Sequence, residues 1–298
     1  MLRVLLMLLV CVCGRAMAAE PLPVVASFSI LADFTQRVGG ERVAVHALVG
    51  ANADAHTYQP TPADAKAIKS AKLVVVNGLG FEGWIARLVK SSGYKGEVVV
   101  ASRGANLLKS TPQKGHTHHQ HDHDADPHAW LDVANARVYV ANIRDALIKA
   151  DAAGERQYRD NAAKFIAELD TLDAAIRAQL GALPATRRVV VSSHESLAYF
   201  GRAYGITFRA PLGVSTDAGA AAGDLGRLIR QIRQEKIPAV FLENITDARL
   251  LERLQRETGT RLGGTLYSDA LSAPGGPAAD YLALMRYNAA TLAAALKE

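Results

Sequence analysis

The sequence predicts an α/β protein made of two parallel-sheet lobes joined by one long helix, and three observations carry that expectation. Short β-branched apolar runs alternate with helical stretches along the chain, which is the pattern of βαβ units. The alternation breaks once, at residues 156–181, where Tyr158, Ala162, Phe165, Leu169, Leu172, Ile176 and Leu180 recur at spacings of three and four and form one apolar stripe. The length, 298 residues, suits about two domains.

The elements follow in order. Residues 21–30, PLPVVASFSI, read as a strand. The next ten, LADFTQRVGG, read as a helix stopped by Gly39 and Gly40. RVAVHALVG alternates and ends at Gly50, so it is a strand. Thr61-Pro62 opens a helix as N-cap and first-turn proline. Strand 72–78, a helix from Phe81 to Gly93 and strand 96–102 come next. Residues 103–127 lose periodicity and read as a surface loop, and 133–152 return to helix.

The 156–181 helix would be ~39 Å long. It reads either as a stiff connector between lobes or as one packing helix of a single domain. After Pro184 the alternation resumes. VVVSS, ITFRAPLG, PAVFLEN and RLGGTLYSD are strands, each followed by a helix, the last running to the end of the chain. No internal sequence repeat relates the halves. The expected organisation is a leader over 1–19, a lobe over 20–155 with a His-rich loop at 114–126, the linking helix 156–181, and a lobe over 182–298.

The leader, MLRVLLMLLVCVCGRAMAA, has Arg3, an apolar run from Val4 to Cys13 and a small-x-small signal at Ala16–Ala18. That is the layout of a cleaved secretory signal, and it predicts a periplasmic protein. Both cysteines, Cys11 and Cys13, fall inside it, and each follows a valine where lipidation expects a small residue. This argues against a lipid anchor. The mature chain then holds no cysteine, so any metal site must use His, Asp or Glu. Without Arg3 and Arg15, the 34 basic residues become 32 against 29 acidic. Such a mild excess, with no basic block interleaved with aromatics, gives no reason to expect nucleic-acid binding.

Six of the nine histidines lie in KGHTHHQHDHDADPHAWLD, residues 114–132. Elsewhere, potential ligands follow the predicted strands: His56 after 42–49, His128 past the loop after 96–102, His194 after VVVSS, and Asp269 at the end of TLYSD. Ligands of parallel α/β sheets bind beyond the carboxyl ends of strands. Three imidazoles and a carboxylate there would make a plausible tetrahedral zinc site between lobes. Each residue also has a plainer reading: His56 as a surface histidine, His128 as a backbone hydrogen-bonder, His194 as a neighbour of a helix N-cap, Asp269 as a cap itself. The helix-borne zinc-protease motif, the nucleophile elbow and the phosphate loop are all missing.

Taken together, GANADAHTYQPTPADAKAIKSAKLVVVNGLGFEGW, DPHAWLD, VVVSSHESLAYFGRAYGI, VFLENITD and LYSDALS resemble the periplasmic metal-binding proteins of ABC importers, of the zinc-uptake type. The resemblance runs through nearly the whole mature chain. It implies two α/β lobes on one long rigid helix, with metal in the cleft between them. By motif position it implies His56, His128, His194 and Asp269 as ligands. Histidine at the third position, where manganese-type relatives tend to carry Glu, favours Zn²⁺ over Mn²⁺. Glu195 is a minor ligand candidate. The disulfide that some zinc-type members carry is absent here.

The resemblance further implies no enzymatic activity, a monomer, and delivery of Zn²⁺ to a membrane permease with its cytoplasmic ATPase. His116, His118, His119, His121 and His123 are expected to bind zinc weakly as an auxiliary set. A zinc hydrolase, with Glu195 or Glu243 as base, needs an open coordination position that four protein ligands would fill. A zinc chaperone serving another periplasmic protein is a further alternative.

Overall fold

The computed structural model describes residues 20–109, 125–217 and 222–297. The first lobe holds β1 (Leu22–Phe28), α1 (Ser29–Gly39), β2 (Val43–Val49), α2 (Pro62–Ser70), β3 (Leu73–Val76), α3 (Ile85–Ser92), β4 (Glu97–Val100) and α4 (Val133–Ala150). After α5 (Glu155–Gly181), the second lobe holds β5 (Val189–Val191), α6 (Ala198–Tyr204), β6 (Thr207–Arg209), α7 (Ala222–Glu235), β7 (Ala239–Glu243), α8 (Arg249–Thr258), β8 (Arg261–Leu266) and α9 (Tyr281–Leu296). Every pairing within the two sheets is parallel. The orders are β2-β1-β3-β4 and β6-β5-β7-β8, so both lobes use one topology without a shared sequence repeat. The two-lobed α/β architecture predicted from the sequence is the one present.

Local chemistry explains the element ends. Thr61 caps α2 in a capping box with Asp64, and Pro62 takes the first turn, where its missing N–H costs nothing. Asp132 and Asp280 cap α4 and α9 through their side chains. α3 begins at Ile85, later than predicted, because Gly78, Leu79 and Gly80 all take positive φ and wind the chain into a loop instead. At Gly78 a Cβ would lie 2.6 Å from Val100 Cγ1, so only glycine fits there. β8 stops at Leu266 rather than reaching Asp269, because Asn288 of α9 accepts the Tyr267 N–H and donates to the Tyr267 carbonyl. A side chain has replaced the sheet partner.

The seven residues of the predicted stripe are the buried residues of α5. Its larger aliphatic and aromatic members each contribute about 1.5–3 kcal/mol by leaving water. The helix packs on α1 and α4 of the first lobe and on α6 and α9 of the second. It is therefore both a connector and a packing helix. One apolar core runs through the molecule, from Val24, Phe28 and Trp130, past Phe165 and Leu169, to Phe241, Tyr281 and Leu296. Arg37 reinforces this junction: its guanidinium pairs with Asp33 on α1, Glu168 on α5 and the cap Asp280, and lies over the Phe165 ring.

Candidate metal centre

Three histidines and an aspartate converge where the carboxyl ends of the two sheets face each other. His56 follows β2, and Trp84 Nε1 donates to the carbonyl of its neighbour Ala55 at 2.8 Å. His128 precedes a single helical turn, Ala129–Leu131, that leads into α4. His194 follows β5 and is bridged to Leu212. Asp269 lies past the end of β8 on a segment held from several sides. Trp130 Nε1 donates to the Ser268 carbonyl, Asn244 Nδ2 to the Ala270 carbonyl, and the Leu271 N–H to Ser29 Oγ. The first lobe thus supplies two of the four side chains and the second lobe the other two.

The ligand-type atoms of His56, His128, His194 and Asp269 all lie within 4.8 Å of one another. Asp269 Oδ2 is 3.3 Å from His56 Nε2 and 3.2 Å from His194 Nε2, and Oδ1 is 3.5 Å from His128 Nε2. The Nε2 atoms of His56 and His128 are 3.3 Å apart. The distances to Asp269 are separations of groups facing a common centre rather than of aligned hydrogen bonds, whereas the two histidine nitrogens stand at hydrogen-bonding geometry. His194 Nε2 and both Asp269 oxygens are buried without a hydrogen-bond partner, a costly state for polar atoms unless a cation completes them. Phe81 packs edge-on to the His56 ring at 4.7 Å and Trp130 to the His128 ring at 5.4 Å, so the wall behind the site is apolar.

Burial opposes charge on His128 and His194, but carboxylates outweigh it. Asp269 and Asp126 lift His128 to about 9, and Glu243 and Asp269 raise His194 well above the usual imidazole range. Asp269 moves the other way: burial works against its charge, yet His128 and His194 hold it well below the usual carboxylate range. The centre is thus built for positive charge, whether protons or a cation.

Glu195 is not among the four converging groups, although the neighbouring His194 is. Glu243 faces His194 Nδ1 at 2.9 Å, on the far side of the ring from Asp269, where it is badly placed to serve as a general base. His116, His118, His119, His121 and His123 lie outside the described residues. Sequence reasoning missed Asp126 and Asp54. Both Asp126 and Asp54 accept the backbone N–H of the histidine two residues on, and the signal was the repeated Asp-x-His of Asp54-Ala55-His56 and Asp126-Pro127-His128.

Two parallel sheets with a buried centre of three histidines and one aspartate between their carboxyl ends define a two-lobed α/β binding protein. Sequence comparison is specific about which kind. Residues 24–295 match the family described as zinc-uptake complex component A, periplasmic (ZnuA), and the chain belongs to that family. Its members are solute-binding proteins of metal ABC transporters, not enzymes.

The chain is 32% identical over 285 residues to the manganese-binding lipoprotein MntA of Halalkalibacterium halodurans, covering 96% of this chain and 92% of MntA. It is 28% identical over 301 residues to the manganese ABC transporter substrate-binding lipoprotein PsaA of Streptococcus anginosus, covering 98% and 95%. Among solved structures it is similar to the periplasmic zinc-binding protein TroA of Treponema pallidum. There the TM-score is 0.86 at 29% identity, covering 94% of this chain and all of TroA. The lipoprotein names of MntA and PsaA count against the expectation that a lipid anchor is absent, which rested on the residues before Cys11 and Cys13.

Proposed function

We propose that this chain captures Zn²⁺ through His56, His128, His194 and Asp269 and delivers it to the permease of an ABC importer driven by a cytoplasmic ATPase. The observation that carries the reading is the spacing of the ligand atoms. Zinc bonds nitrogen and oxygen at about 2.0–2.1 Å, so the corners of a tetrahedron around it lie about 3.3–3.4 Å apart. Among His56 Nε2, His128 Nε2, His194 Nε2 and Asp269 Oδ2, three of the distances are 3.2 or 3.3 Å, and the four ligand-type atoms all lie within 4.8 Å of one another. Three nitrogens and one oxygen suit zinc, whereas manganese favours oxygen ligands. The manganese reading draws on the names of MntA and PsaA.

X-ray absorption at the zinc edge of the loaded protein should give four light scatterers at about 2.0–2.1 Å. Six scatterers, or manganese retained in preference to zinc from an equimolar mixture, overturns the assignment. The protein acts outside the cytoplasmic membrane as a monomer, with lobes at 20–155 and 182–298 on either side of the linking helix 156–181. His116, His118, His119, His121 and His123 collect zinc weakly beside this site.

A further inference from the structure

We propose that Glu243 and Asp126 are positioning residues that present the Nε2 atoms of His194 and His128 to the metal, and that through them they set the preference of the site for zinc over manganese. The inference rests on the zinc reading above and extends it to residues that touch no metal.

Each carboxylate accepts the backbone N–H of its histidine and lies within 3 Å of the ring Nδ1. Glu243, at the end of β7, is buried. Its Oε1 accepts the N–H groups of Ser193 at 2.8 Å and His194 at 2.9 Å, and its Oε2 accepts from Ser196 Oγ at 2.8 Å. Oε2 also lies 2.9 Å from His194 Nδ1, a close contact that is not lined up as a hydrogen bond. Asp126 Oδ1 accepts the His128 N–H at 3.0 Å and pairs with His128 Nδ1 at 2.7 Å. Asp126 is itself immobilised. Its N–H donates to the Leu108 carbonyl at 2.9 Å, and its own carbonyl accepts from Tyr199 Oη of the second lobe at 2.8 Å.

A neutral imidazole carries one N–H. A carboxylate at Nδ1 keeps that hydrogen there and leaves the Nε2 lone pair free for a metal. It also pushes electron density through the ring, which makes the nitrogen a stronger donor. Both Nε2 atoms do face Asp269. Strengthened nitrogen donors favour zinc more than manganese, which depends more on oxygen. Glu82 is the natural contrast. It too is buried and accepts backbone N–H groups, from Asn77 and Gly78, but its side-chain partner is Ser27 and not a ligand ring.

The test is a set of metal titrations on the full chain with Glu243→Gln, Asp126→Asn, Glu82→Gln and His194→Ala, each compared with wild type. In Glu243→Gln the amide oxygen keeps the two backbone bonds and turns the amide NH₂ toward Ser196 and His194 Nδ1. A donor then meets a donor, and the ring is driven to carry its hydrogen on Nε2, the wrong nitrogen for binding. Zinc affinity should fall about 10–100-fold in Glu243→Gln and Asp126→Asn, and manganese affinity should fall less. The visible spectrum of the cobalt-loaded protein should change, while Glu82→Gln leaves zinc affinity and spectrum as in wild type. Circular dichroism of the metal-free variants confirms that each is folded. Zinc affinity within about threefold of wild type in both variants, against the 10–100-fold expected of such partners, overturns the inference. Loss of zinc and manganese affinity in equal proportion does the same. If His194→Ala also binds zinc like wild type, the four-ligand reading itself has failed, and this inference fails with it.

Discussion

The two Asp-x-His motifs begin alike and end differently. Asp54 and Asp126 each accept the backbone N–H of the histidine two residues on, at 2.8 and 3.0 Å. Asp126 then turns to the ring of His128, so the side chain that locks that ligand's ring comes from the ligand's own lobe. Asp54 instead accepts from Thr216 Oγ1 of the second lobe at 2.5 Å. The adjoining Asn52 takes part in the same crossing, since its N–H donates to the Leu271 carbonyl and its side chain accepts from Asn244. The aspartate before His128 gives its side chain to that ring and only its carbonyl to Tyr199 of the second lobe, whereas the aspartate before His56 gives its side chain to the second lobe. The same three-residue motif thus serves to lock one ligand and to couple the other.

The sharpest way to break this contrast is to remove the locked ligand. His128→Ala should cost more zinc affinity than the roughly 100-fold ceiling for an outer partner, read by competition titration. A smaller loss would mean that His128 is no more than a spectator.

Acid should act next most strongly, through His128 and His194. Asp269 and Asp126, outweighing burial, hold His128 at about 9, so zinc must displace its proton at neutral pH. Affinity should fall as pH drops from 7.5 to 5, by about tenfold per unit for each proton displaced. Constant affinity over that range sinks the idea. The metal-free protein should behave oppositely. A histidine whose pKa rises on folding stabilises the fold fully below about 6.5 and loses that contribution as pH climbs through about 9. Thermal unfolding of metal-free protein at pH 6.5 and 9.5 reads this directly.

The coupled half gives a subtler prediction. Thr216→Val removes one hydrogen bond to a carboxylate and should weaken binding by about fivefold, or ~1 kcal/mol. The change should appear as faster zinc release in stopped-flow measurements, because the contact forms only when the lobes are together. Unchanged release would show that the Thr216–Asp54 bond is ornamental. Deleting residues 115–124 should have the smallest effect. Weak zinc binding should disappear while the tight site keeps its affinity, and loss of the tight site would overturn the assignment of His116, His118, His119, His121 and His123 as auxiliary.

Local pattern made the fold legible. The stripe of α5 could be read residue by residue because helical burial repeats every three to four positions, and Thr61-Pro62 announced its helix through capping chemistry. The grouping of His56, His128, His194 and Asp269 came from motifs spread along the chain, and the structure brings those side chains together. The partners behind the rings were less accessible. Glu243 lies 49 residues from His194, and no spacing rule links them. Asp54 and Asp126 looked identical in sequence because what separates them is Thr216, 162 residues from Asp54. The end of β8 was misplaced for a similar reason, since Asn288 intercepts Tyr267 from the last helix.

The unbroken apolar core that passes through α5 bears on how long a cation stays. Prising the lobes apart would expose side chains such as Phe165, Leu169 and Tyr281, which the folded chain keeps dry, and each would cost about 1.5–3 kcal/mol. Wide spontaneous opening should therefore be rare, so on the proposed reading the ion would leave through smaller movements near the site. A container of this kind would, on the same reading, fill with little change of shape and be emptied by its receiver. Small-angle scattering profiles with and without zinc should accordingly almost coincide.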